Sequence, residues 1–271
     1  MIKIITDSSS NITQEEAKNL GIELMPLTIN FGTEEFRDGI DIDCDVFYKK
    51  MRESKELPHT SQLTEDQIEE AVKSALKEAD EVLIMPIASA LSGSYERCKT
   101  VADKYENVYA YDANCTTFIL KMCVLEALKM ADKTVKEVIA MLDEYRPKIK
   151  LYAVLDTLEN LKKGGRLSKT SALIGSVLKI KPVITLAPDG KVEMESKQFG
   201  MNKGISYVAD VVDKKKIDFT KPVYLIYTEN DKNSLSLINK IGIEYTEKCN
   251  ICPVIGTHIG SDACGIVYAE K

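Results

Sequence analysis

EVLIMPIASALSGSYERC, residues 81–98, decides the architecture. Its first half is apolar on consecutive positions, Val82 to Met85, and not on alternate ones, which is the pattern of a strand buried on both faces. Its second half passes through Ser92, Gly93 and Ser94 into a helical pattern. The unit is therefore strand, hydroxyl-rich loop, helix. Moving outward, IKIIT (2–6), IELMPLTI (22–29), NVYAYDA (107–113) and KLYAVLD (150–156) are strand-like, whereas 65–79, 92–104, 116–131 and 134–146 carry helical periodicity. Strands alternating with helices predict a mostly parallel sheet covered by helices, over residues 1–150.

Beyond residue 150 the pattern changes. VITLAPDGKVEMESKQF (183–199) reads as two strands joined at Pro188-Asp189-Gly190, a tight-turn sequence in which glycine can take positive φ. Helical stretches at about 201–213 and 231–244 flank the strand PVYLIYT, and the chain closes with CPVIGTHIG and GIVYAE. This predicts a smaller α+β domain with antiparallel strands over 151–271. A length of 271 residues suits two such domains, and no Gly/Ser tether or internal repeat separates them. A cleft between abutting domains is then the natural ligand site.

Hydrophobic residues at 44% are ample for a core, and a net charge of −6 with both signs interspersed argues against a nucleic-acid footprint, which needs a basic face. There is no apolar run of 18 residues and no secretory signal pattern, so the expectation is a cytoplasmic protein with at most transient membrane contact. Seven scattered cysteines read as reduced thiols.

PHTSQLT (58–64) concentrates a histidine, hydroxyls and an amide in what reads as a loop before a helix, with Thr64 as N-cap and Gln67 as its capping-box partner. With Ser92-Gly93-Ser94 it makes two hydroxyl-rich junctions, both expected at the carboxyl end of one parallel sheet, where open α/β sheets bind ligands. Helix starts present unpaired N–H groups, so Thr60, Ser61, Ser92 and Gly93 are candidates to receive a carboxylate or phosphate oxygen. The plainer reading is capping and turn chemistry. Neither segment is GxGxxG or GxxxxGK[ST], so nothing local favours a dinucleotide or nucleoside triphosphate, and no cofactor is expected. IGTHIGSDACG (255–265) places His258 in a glycine-flanked loop, where a protonated imidazole would donate a charge-assisted bond to an anion; a hydrogen-bonded structural histidine is the alternative. LKKGGRLS (161–168) is a Lys-rich helix end, a Gly-Gly cap and Arg166, or simply basic residues offsetting a helix dipole.

In order along the chain, TDSSSNI, FRDGIDI, PHTSQLT, ALSGSY, LKKGGRLS, GSVLKIKPVITL and IGTHIG resemble the DegV family, the lipid-binding proteins that include the fatty-acid-binding subunits of bacterial fatty acid kinase. The resemblance implies a two-domain carrier of one long-chain fatty acid, its carboxylate at the domain junction and its tail in the second domain. It implies that Thr60, Ser61, Ser92 and Gly93 form the head-group pocket, with His258 nearby. It implies that Arg166, at the family's GGR position, faces a partner fatty acid kinase subunit or its nucleotide phosphate. The chain would then present a substrate and catalyse nothing itself. The tail pocket is expected around ALIGSVLKI (172–180) and the second-domain strands.

Departures from the family pattern bear on these expectations. His59 is not carried over and is either structural or a local modulator of the socket. GSDACG stands where the family usually has a Pro-Gly step, so Asp262 puts a negative charge near the expected anion unless it points to solvent. YDANCTTFILKMC (111–123) lacks the small glycine pair often found there. Two other classes compete: a serine hydrolase using Ser61 or Ser92 with His258 and Asp262 or Asp7, without a GxSxG elbow, and a redox or metal site at Cys249-Asn-Ile-Cys252. One CxxC is weak evidence for zinc, and a thioredoxin-like pair should start a helix after a strand, which PVIG does not suggest, so no metal is expected.

Overall fold

The apolar runs at β1 (Ile2–Asp7) and Glu81–Met85 lie side by side and parallel, registering Ile4 with Leu83 and Ile5 with Ile84. All four side chains are essentially inaccessible, as consecutive apolar positions require of a strand covered on both faces. The computed structural model describes residues 1–167 and 180–271, which divide into two units, Met1–Asp43 with Pro58–Pro147 and Cys44–Leu57 with Lys148–Lys271.

Along the chain the first unit contains β1, α1 (Gln14–Leu20), β2 (Glu23–Met25), β3 (Thr28–Phe31) and β4 (Glu34–Arg37). The chain then leaves for α2 (Cys44–Glu53) of the second unit and returns with β5 (His59–Ser61), α3 (Glu65–Ala75), β6 (Glu81–Met85), α4 (Ser94–Ala102), β7 (Val108–Ala110), α5 (Thr117–Leu128) and α6 (Val135–Tyr145). The parallel sheet has the order β2-β1-β6-β7. Its winding reverses between β1 and β6, the switch point at whose carboxyl edge such sheets bind ligands. Thr64 caps α3 in a capping box with Gln67, as its sequence predicts.

Two expectations for this unit are corrected. IELMPLTI is not one strand but β2 and β3, interrupted at Pro26-Leu27. The residues His59-Thr60-Ser61 are not a loop at the end of the parallel sheet but β5, which pairs antiparallel with β3 in a separate sheet of order β4-β3-β5. Asn30 on β3 donates to Ser61 Oγ at 3.1 Å, a cross-strand bond that helps fix the register.

The second unit continues after α2 with β8 (Ile149–Val154), α7 (Glu159–Lys163), β9 (Ile180–Leu186), β10 (Val192–Phe199), α8 (Met201–Val211), β11 (Tyr224–Tyr227), α9 (Lys232–Ile241), β12 (Glu247–Asn250), α10 (Pro253–Ile259) and β13 (Cys264–Ala269). The sheet order is β10-β9-β8-β13-β11-β12, antiparallel except for the β11/β12 pair. The β9–β10 turn is the expected one, with Gly190 at φ +81° and Ala187 N–H donating to Lys191 O at 2.9 Å. Val154, Val208, Leu225, Leu237 and Ile266 are central to the core between this sheet and α8 and α9.

A contiguous division at residue 150 is corrected by α2, which belongs to the second unit and makes it as large as the first. Burial explains the departure. Phe47 and Tyr48 of α2 are 0% and 1% exposed, and Tyr48 Oη donates to Ile251 O at 3.0 Å. Tyr48 also lies so close to Gly256 of α10 that a β-carbon there would stand 2.4 Å from its hydroxyl. Among the described residues no helix is long and apolar enough to cross a membrane.

Candidate functional site

Ser94 joins the two hydroxyl-rich segments of the first unit. Its Oγ accepts the Leu63 N–H at 3.2 Å and lies 3.0 Å from Ser92 Oγ, which in turn accepts the Ser94 N–H at 3.2 Å. One turn further along α4, Arg97 Nη1 donates to Leu63 O at 3.0 Å. With the Gln62 amide oriented so that its oxygen faces the guanidinium, Nη2 and Nε donate to it at 2.8 and 3.2 Å. Both backbone groups of Leu63 are thus held by α4, and the chain leaving β5 is fixed against the helix start. Thr60, Ser61, Ser92 and Gly93 are brought into one region, with Ser61 and Gly93 exposed and Thr60 and Ser92 partly buried. Gly93 is the N-cap of α4 and offers no side chain to the helix N–H groups. The Gln62 amide occupies the space above it, 2.0 Å from where a β-carbon would be. Hydroxyls and a helix start converging in this way can solvate an anionic oxygen.

Asp7 underlies this region. Fully buried where β1 ends, it accepts from Ser9 N–H at 3.0 Å and from Ile87 N–H at 2.8 Å, and it bonds the Ser9 hydroxyl. The Ile87 bond ties the switch point to the segment that leads from β6 to Ser92. Burial pushes the Asp7 carboxyl up to about 6, opposed by those hydrogen bonds. From sequence, Asp7 has only a hydrolase role, Ser94 is one member of the hydroxyl-rich Ser92-Gly93-Ser94 helix start with no separate role, and Arg97 has none. Their signal was present in SGSYER, where Arg97 is four residues from Gly93 and so one turn above it.

The second unit holds His258 and Arg166. His258 lies in the last turn of α10, not in a loop, and the helix ends at Gly260 with φ +78°. The ring packs on the end of α7: a β-carbon on Gly164 would stand 2.5 Å from His258 Nδ1. Asn160 of α7 donates to Thr257 O at 3.1 Å, which locks the two short helices together. Burial, and then the neighbouring Arg166 charge, push His258 down to about 4. The imidazole is therefore neutral near pH 7, and the expected protonated donor is replaced by a neutral N–H. Arg166 Nη1 donates to Gly164 O, and burial lowers the guanidinium pKa. Asp262, at φ +58°, is exposed and accepts from Asn230 Nδ2 at 2.7 Å, so its charge is directed to the surface. The tail stretch ALIGSVLKI falls almost wholly outside the described residues.

The competing chemistries find little geometry. Ser61 Oγ is engaged by Asn30 and Ser92 Oγ by Ser94, and neither Asp7 nor Asp262 is bonded to a histidine. An imidazole held near 4 is also a poor base at neutral pH. The CxxC does connect strand β12 to the start of α10, contrary to the sequence reading, because PVIG is helical with Pro253 in its first turn. All seven cysteines are thiols, and among the described residues no group of three His, Cys, Asp or Glu could hold a metal ion.

The DegV family model, described as "Uncharacterised protein, DegV family", matches residues 1–271. A DegV domain-containing protein of Caldanaerobacter subterraneus is 33% identical, over 100% of this chain and 99% of its own. Among solved structures, the fold is similar to "Fatty Acid Binding of a DegV family Protein from Thermus thermophilus", at 27% identity and TM-score 0.88, covering 100% of this chain and 99% of that one. It is similar also to "DegV, a fatty acid binding protein from Bacillus subtilis", at 27% identity and TM-score 0.87 with the same coverage. By sequence over its whole length and by fold, this chain belongs to the DegV family.

Proposed function

We propose that this protein binds a long-chain fatty acid and presents its carboxylate to a separate kinase subunit for phosphorylation, without catalysing a reaction itself. Thr60, Ser61, Ser92 and Gly93 take the carboxylate, with His258 as a further, neutral donor, and the second unit houses the tail. Arg166 faces the kinase or its nucleotide phosphate, and the protein works in the cytoplasm. The observation that carries the reading is the convergence of the two hydroxyl-rich segments on Ser94 and Arg97 in the first unit. The fatty acid binding described for the Thermus and Bacillus relatives supports it.

Magnitudes assign the roles. Burying about fifteen methylenes is worth roughly 12 kcal/mol before association costs, against about 1.5–3 kcal/mol for a hydrogen bond to a charged group. The tail supplies retention, and the hydroxyls supply orientation. Native mass spectrometry of the purified protein, followed by denaturation and extraction, tests the reading. One fatty acid per chain supports it; no bound lipid and no uptake of added fatty acid refutes it.

A further inference from the structure

Arg97 is a guanidinium whose hydrogen bonds go to neutral acceptors, the Leu63 carbonyl and the Gln62 amide oxygen. Among the described residues no carboxylate pairs with it. Most cations of the first unit are treated otherwise: Lys121 lies 2.7 Å from Glu16, Lys73 3.0 Å from Glu69, and Arg37 2.8 Å from Asp41. The side chain is only partly exposed, so water screens its charge incompletely. It also belongs to the turn that begins at Gly93, because its own N–H donates to Gly93 O at 3.3 Å. An uncompensated positive charge is thus fixed one turn from the segment offered as the carboxylate socket.

We propose that Arg97 is the positioning residue of the head-group site and the source of its preference for an ionised carboxylate over a neutral head group. The inference rests on the fatty-acid reading above. Arg97 acts in two ways that share one geometry. Its fork holds Gln62 and Leu63, which keeps Thr60 and Ser61 within the same region as Ser92 and Gly93. The held fork also keeps its charge beside the socket, where it favours an anion through space; the hydroxyls by themselves would accept an alcohol as readily as a carboxylate. Lysine is not equivalent here, since it carries the charge without the planar fork.

The test compares palmitate with its matching alcohol, hexadecanol, by displacement of a fluorescent fatty acid from delipidated full-length protein, in wild type, Arg97→Gln and Arg97→Lys. The expected result in Arg97→Gln is a loss of about tenfold or more in palmitate affinity with a loss of at most about threefold for hexadecanol, the share that loosening Gln62 and Leu63 contributes, and an intermediate loss of palmitate affinity in Arg97→Lys. A purely structural role would weaken both ligands alike, and that outcome, or no change in either, overturns the proposal. If Arg97→Gln does not fold, Gln62→Ala decides: it removes an acceptor that orients the fork and should narrow the acid-over-alcohol ratio about threefold, whereas an unchanged ratio overturns the proposal. Wild-type protein that binds neither ligand would bring down the fatty-acid reading and this one with it; wild-type protein that prefers palmitate as strongly as Arg97→Gln does would bring down this one alone.

Discussion

Replacing Gly164 by alanine separates the packing of His258 from the stability of the unit that carries it. Gly164 has an ordinary helical backbone, φ −72°, so alanine adds no backbone strain. Its β-carbon, however, would lie 2.5 Å from His258 Nδ1, 3.1 Å from Cε1 and 3.0 Å from Asn160 O, where 3.4 Å or more is ordinary contact. The imidazole must retreat by about 0.9 Å, at an overpacking cost of about 1–3 kcal/mol. Gly165→Ala is the matched control. That residue sits at φ +72° with nothing within 4 Å of a β-carbon, so alanine costs about 1–2 kcal/mol in backbone strain and touches nothing. Both variants should melt several degrees below wild type, but only Gly164→Ala should move the histidine. The chain has two histidines, so imidazole NMR spectra contain two sets of resonances, and His258→Gln assigns them. In Gly164→Ala the His258 midpoint should rise from about 4 toward the ordinary 6.5 as burial lessens. Fatty acid affinity should fall by about tenfold if a hydrogen bond of about 1.5 kcal/mol is lost. A lowered melting point with unchanged His258 resonances would mean that α7, not the ring, had yielded, and would overturn this prediction.

Ser92→Ala should still retain fatty acid through its tail, with affinity lower by about tenfold for one lost hydrogen bond of about 1.5 kcal/mol, while impairing phosphorylation by a partner kinase; unchanged turnover would count against the head-group assignment. Gly256→Ala should destabilise the second unit by about 1–3 kcal/mol through collision with Tyr48 and Phe47, and Tyr48→Phe should partly relieve it in a double-mutant cycle read by thermal melting. The pH dependence of stability should show two opposed contributions. Asp7, raised to about 6, contributes stability that is full below about 3.8 and lost as pH rises through 6. His258, lowered to about 4, contributes stability that is full above about 6.5 and lost as pH falls through 4. Asp7→Asn removes the first, so stability between about pH 4 and 6 should rise more steeply with pH than in wild type; urea midpoints across that range check the sign.

Short-range patterning alone accounts for several elements of this fold. Consecutive apolar residues at 82–85 specified a strand covered on both faces, Thr64 and Gln67 specified a helix start, and Pro188-Asp189-Gly190 specified a hairpin turn. Each rests on propensities or periodicities confined to a few residues. Other features depend on partners distant in the chain. His59-Thr60-Ser61 became a strand only because β3 lies alongside. Residues 44–57 joined the second unit because Phe47 and Tyr48 found their buried surface more than two hundred residues away, at Ile251 and Gly256. Arg97 reads as an ordinary surface cation until Leu63 and Gln62 are brought to it. Hydrogen bonds and burial across long sequence separations leave no local trace, which is why the hydroxyls of the proposed socket were legible in the chain, whereas the bonds of Ser94 and Arg97 to Leu63 and Gln62 were not.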